Sequence, residues 1–114
     1  IVDDLLDFIG TEKELGKPVG SDLRQGIVTL PTLFFLERTP DDEALIRVLS
    51  RRARDEAEVV DVVRRIGESD AASRAFDEAC NWVHRGKEAL QALPDHPSRS
   101  AMLELADYVV ARRM

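Results

Sequence analysis

Asp3, Asp4 and Asp7 stand in one short run, Asp3-Asp4-Leu5-Leu6-Asp7, between the apolar pairs Ile1-Val2 and Phe8-Ile9. On a helix of about 3.6 residues per turn, positions 3 and 7 share a face and position 4 lies about 100° from position 3. That spacing directs three carboxylates towards one cleft. It is the donor set a hard divalent cation such as Mg²⁺ takes when it also holds phosphate oxygens. Like charges this close repel and weaken an isolated helix, so a cation that cancels the repulsion is a natural occupant. The competing reading is a solvated acidic helix face, and the local spacing leaves both open.

The elements that must carry this run are all helical. Residues 1–9 read as the end of a helix, with Gly10 as its stop. Residues 11–26 are polar and punctuated by Gly16, Pro18, Gly20 and Gly26. A loop of that length is usually functional. Ser21 and Asp22 suit the cap of a short helical turn inside it. A helix follows over 29–38, with Pro31 in its first turn. Thr39-Pro40-Asp41-Asp42-Glu43 predicts a second start, with Thr39 as N-cap and Pro40 at the first helical position. Further helices are expected over 55–66, ending at Gly67, then over 69–93 and 98–113, with Pro94-Asp95-His96-Pro97 between the last two. No strand-like alternation and no internal repeat is present. The fold class is all-α, a helical bundle forming a single unit over residues 1–114.

Within that bundle, Leu30, Leu33, Phe34, Phe35 and Leu36 leave one helix with hardly any polar side. Such a helix belongs in the middle of a bundle. It is expected to need neighbours that this chain does not contain, from further N-terminal helices or another subunit. The start at Ile1-Val2-Asp3 suggests the back part of a larger protein.

Composition narrows the partners. The net charge is −6, and Lys and Arg alternate with Asp and Glu, so nucleic acid and anionic membranes are poor partners. No apolar run approaches the roughly 20 residues that span a bilayer. A single cysteine, Cys80, excludes an internal disulfide and fits a reducing compartment, the cytoplasm by default.

The longer pattern resembles a known family. Asp3-Asp4-Leu5-Leu6-Asp7-Phe8, then Gly16-Lys17-Pro18-Val19-Gly20-Ser21-Asp22-Leu23, then Thr29-Leu30-Pro31, is similar to the second aspartate-rich region of the trans-isoprenyl (polyprenyl) diphosphate synthases. The ending Leu105-Ala106-Asp107-Tyr108-Val109-Val110-Ala111-Arg112 resembles the closing helix of their long-chain bacterial members. The likeness covers the whole chain, but only about the last third of a family enzyme. It implies the C-terminal part of the isoprenoid synthase fold, in which two aspartate-rich helices face each other across a cavity.

The resemblance also implies an activity: Mg²⁺-dependent condensation of an allylic diphosphate with isopentenyl diphosphate to give a longer polyprenyl diphosphate. In the family, the allylic diphosphate ionises, isopentenyl diphosphate attacks the cation, and loss of a proton completes the step. Asp3 would then be a metal ligand, with Asp4 and Asp7 binding the same ion directly or through its waters. Lys17 would reach the allylic diphosphate, and Asp22 would position the loop. The parent protein would be a homodimer. The first aspartate-rich motif and the grip on isopentenyl diphosphate are absent, so these residues alone should not turn over. Ile27 also stands where many relatives carry lysine. The alternative is a non-catalytic helical subunit, or interaction module, of a heteromeric prenyl synthase.

The other candidates read as ordinary structure. Arg51, Arg52 and Arg54 precede Asp55, Glu56 and Glu58, as on a solvated helix or turn. His84 and His96 lack ligand spacing, Cys80 fits as a small core residue, and Trp82 and Tyr108 read as packing. Arg112 and Arg113 suit a helix C-terminus; in some family members such basic residues approach the active site.

Overall fold

The computed structural model describes residues 1–111, apart from the side chain of Glu14. Arg112 and Arg113 lie outside the described residues. Eight helices and no strand occur among those described: α1 (Val2–Ile9), α2 (Glu12–Leu15), α3 (Ser21–Arg24), α4 (Leu30–Arg38), α5 (Glu43–Leu49), α6 (Glu56–Glu68), α7 (Asp70–Leu90) and α8 (Pro97–Ala111). The fold is all-α.

The core lies where α1, α4 and α6 meet, with α3 and α5 closing around it. Phe8, Leu23, Phe35, Leu45, Val48, Val62, Val63 and Ile66 form it, joined by Ala71. Each fully buried aliphatic chain here contributes about 1.5–3 kcal/mol. Gly67, expected as a stop, sits inside α6 instead. A β-carbon there would lie 3.1 Å from the Phe8 carbonyl oxygen, so glycine lets α6 press against α1. The helix runs on to a true stop at Ser69, which also caps α7 through its hydroxyl and the amide of Ala71.

The start of α5 also differs from expectation. Thr39 does not cap it; the Thr39 hydroxyl turns back to the Phe35 carbonyl at 2.7 Å and finishes α4. Asp42 is the N-cap, accepting from the Leu45 amide at 3.0 Å. It also takes both ends of the Arg65 guanidinium, at 2.5 and 3.2 Å. A cap that can also reach a cation on α6 prevails over one that cannot.

Two features mark faces left open. α4 buries Pro31, Thr32 and Phe35, while Leu33 remains 51% exposed. α8 packs on α7 and has no buried residue; its Leu103, Ala106 and Val110 are half-buried. Its Met102, Leu105 and Tyr108 are exposed, as is Trp82 of α7, which meets Arg85 across its ring at 4.8 Å. Trp82 and Tyr108 thus do not serve as packing residues within the described structure. The α7–α8 pair stretches the molecule to 57 × 30 × 19 Å. Its radius of gyration is 16.8 Å, against about 13 Å for a compact chain of this length.

Candidate metal and diphosphate site

The acidic run occupies α1 as its spacing requires, yet its three carboxylates have different surroundings. Asp3 is exposed, Asp4 half-buried and Asp7 1% exposed. Periodicity puts Asp3 and Asp7 on one face, but Asp7 lies one turn further along, beneath the 16–22 loop. No group of three metal-capable side chains converges among the described residues. Among the described residues, Asp3, Asp4 and Asp7 therefore do not form one cluster of side chains.

Asp7 instead faces backbone. Its Oδ1 accepts from the Ser21 amide at 3.2 Å and its Oδ2 from the Asp22 amide at 3.0 Å. The Asp7 carbonyl oxygen accepts from the Gly20 amide at 2.7 Å. The first amides of a helix have no partner within it. Here a carboxylate from α1 satisfies those of α3, and neither Ser21 nor Asp22 caps with its own side chain. The run of amides is possible because Gly20 sits at φ 77°, ψ 26°, a left-handed conformation that glycine adopts at little cost.

Lys17 extends from the same loop, half-exposed, with Nζ 3.7 Å from Asp7 Oδ1. On the loop's other flank, Arg24 Nε donates to the Val19 carbonyl at 3.2 Å, and its guanidinium meets Glu56 at 2.5 Å. The sequence alone does not single out Arg24. Its type gave no signal, because a lone arginine in a four-residue helix is ordinary until Glu56 is brought beside it from 32 residues away.

Asp22 holds the turn with its backbone: its carbonyl accepts from the Gln25 amide at 3.1 Å and the Ile27 amide at 2.9 Å. Burial, and next the Asp7 carboxylate, raise the Asp22 carboxyl above its ordinary pKa; Lys17 opposes the rise and Asp4 adds to it. Asp4, Asp7, Asp22 and Lys17 therefore share one electrostatic neighbourhood, dominated by negative charge. Ile27 and Val28 follow this turn as exposed apolar side chains. No helix among the described residues is long and apolar enough to cross a membrane.

The site fits a divalent cation in a limited sense. Mg²⁺ commonly takes one or two carboxylates and completes its shell with waters and phosphate oxygens. On the first turn of α1, Asp3 is exposed and Asp4 half-buried, so neither carboxylate is sealed off from such an ion.

Comparison with known proteins gives consistent matches. The family model described as polyprenyl synthetase matches residues 1–66. The chain is 38% identical over 112 residues to heptaprenyl diphosphate synthase component 2 of Geobacillus stearothermophilus, covering 98% of this chain and 34% of that protein. The crystal structure of heptaprenyl diphosphate synthase from Staphylococcus aureus superposes with a TM-score of 0.88 at 33% identity, covering 99% of this chain and 35% of that one. A polyprenyl synthase from Caulobacter crescentus, crystallised with calcium and isoprenyl diphosphate, gives 0.83 at 35% identity, with the same coverage. The chain thus spans about a third of the length of the curated relatives it matches.

Proposed function

The chain belongs to the polyprenyl synthetase family, and from there we propose that it is the C-terminal, diphosphate-facing part of a prenyltransferase. The parent protein condenses an allylic diphosphate with isopentenyl diphosphate to form a longer polyprenyl diphosphate. The single observation that carries this reading is the joining of the acidic helix to the Lys17 loop through Asp7.

The proposed roles follow from exposure and charge. Asp3 and Asp4 would hold Mg²⁺ at the open end of α1. Bound there, the ion supplies charge neutralisation for a departing diphosphate. Lys17 supplies a compact positive charge from a loop that glycines let approach closely. Asp22 keeps the loop's turn through its backbone bonds. The relative crystallised with calcium and isoprenyl diphosphate supports a cation and a diphosphate as partners of such a site.

The remaining parts of the site, including the opposing acidic helix and the grip on isopentenyl diphosphate, would come from the two-thirds of the parent that this chain does not span. The exposed apolar residues of α4 and α8 support burial against such neighbours. A homodimer is proposed for the parent. The relative named as component 2 favours a second reading, a subunit that works with a different partner chain; co-purification from the source organism separates the two.

The test is turnover by the full-length parent. With an allylic diphosphate, isopentenyl diphosphate and Mg²⁺ it should release pyrophosphate and yield a longer chain, and chelation should stop it. Absence of any extension product with every allylic chain length tried would sink the reading.

A further inference from the structure

We propose that Asp7 is a positioning residue that locks the Lys17 loop onto α1, and that it is not a ligand of the cation. The proposal rests on the prenyltransferase reading above and separates Asp7 from its two neighbours in the acidic run. Three observations carry it.

First, both oxygens of the carboxylate are buried and engaged by backbone. Asp7 is 1% exposed, and each of its oxygens already accepts a backbone amide, from Ser21 at 3.2 Å and Asp22 at 3.0 Å. With the Gly20 amide on its carbonyl at 2.7 Å, three consecutive amides of the loop converge on this one residue. Hydrogen bonds to a charged acceptor are the strong ones, and a cation competing for these oxygens would weaken them.

Second, a cation is already beside it. Lys17 Nζ stands 3.7 Å from Oδ1, and a second positive ion on the same oxygen would be repelled by it. The distance is longer than an ammonium hydrogen bond, and Lys17 is 48% exposed. The pair is therefore a loose Coulombic tether. Lys17 is held near α1 yet able to turn towards an arriving diphosphate.

Third, Asp3 and Asp4 occupy the open end of α1, whereas Asp7 lies beneath the loop. The acidic run divides into a cation-facing pair and an anchor one turn behind it. The anchor makes the cation helix and the diphosphate loop one rigid part.

The experiment uses the full-length parent. In the metal-free wild type, amide exchange at residues 21 and 22 should be slowed at least about tenfold relative to an open loop, as a charge-assisted bond of this strength requires. Exchange at open-loop rates would overturn the lock without reliance on any variant. Asp7→Asn keeps the shape but offers one acceptor where two are needed. It should speed exchange at residues 20–22 and raise the KM for the allylic diphosphate about tenfold or more. The Mg²⁺ concentration for half-maximal activity should stay within about threefold, whereas Asp3→Asn should raise it about tenfold or more without loosening the loop. If Asp7→Asn instead shifts the Mg²⁺ requirement as Asp3→Asn does, Asp7 is a ligand and the proposal fails. If the parent shows no cation-dependent activity at all, the prenyltransferase reading fails, while the exchange data still decide whether Asp7 locks the loop.

Discussion

Gly20 lies directly against Val63: a β-carbon at position 20 would sit 2.3 Å from Val63 Cγ2 and 3.0 Å from Cγ1. The loop bearing Lys17 is thus seated on the core of α6, since Val63 is buried among Phe8, Leu23 and Ile66. Gly20→Ala adds left-handed strain to that overlap and should cost about 2–4 kcal/mol. Denaturant unfolding of the parent measures it. The double variant with Val63→Ala should recover the overlap but not the strain. A change under about 0.5 kcal/mol would mean that the loop is not seated in this way.

Asp42 and Arg65 form one polar link between α5 and α6, and Arg47 and Glu58, at 2.7 Å, form another. The two Arg65 hydrogen bonds, with the Leu45 and Ala44 amides, hold the Asp42 carboxyl below its ordinary value of 3.8. A carboxyl whose folded pKa is depressed binds fewer protons in the folded state. Its stabilisation is therefore fully present above about pH 4 and is lost as pH falls through the lower folded value. Asp42→Asn should lose about 1–2 kcal/mol near neutrality, with the gap to wild type closing below pH 4. A gap that stays constant with pH would assign the loss to packing instead.

Thr32 is fully buried, and its hydroxyl has no partner among the described residues. Thr32→Val replaces the orphaned hydroxyl with a methyl of similar size. In the described structure the change should stabilise by about 1 kcal/mol, the desolvation cost of an unmet hydroxyl. Destabilisation of the parent would show that the hydroxyl bonds to a residue outside this segment. Thermal unfolding distinguishes the two.

Lys17 is a surface charge tethered to Asp7, so its replacement should leave stability within about 0.5 kcal/mol. Lys17→Ala should nevertheless raise the KM for the allylic diphosphate by roughly 10–100-fold, the worth of one charge-assisted bond. Lys17→Arg should recover part of that. Equal KM values for all three proteins would remove Lys17 from the site.

Much of this molecule is readable from local signals, and the failures have physical causes. Ser69 and Asp55 announce their helices because a capping side chain needs only its own next turn. Thr39 misleads because the better cap, Asp42, is chosen by Arg65, 23 residues away. Gly67 reads as a helix stop because a sequence does not show the Phe8 backbone pressed against it. The acidic run shows both cases at once. Helical period correctly aligns Asp3 with Asp7 but fixes only the angle around the helix. Depth beneath the loop, which separates an exposed carboxylate from a buried one, is decided by residues 16–22.

The most direct measurement is calorimetric binding of inorganic pyrophosphate to the full-length parent, with and without Mg²⁺, for the wild type, Asp3→Asn and Lys17→Ala. A cation-coupled diphosphate site predicts binding that requires Mg²⁺, weakened about tenfold or more in both variants. Binding independent of Mg²⁺, or unchanged in both variants, would contradict the account.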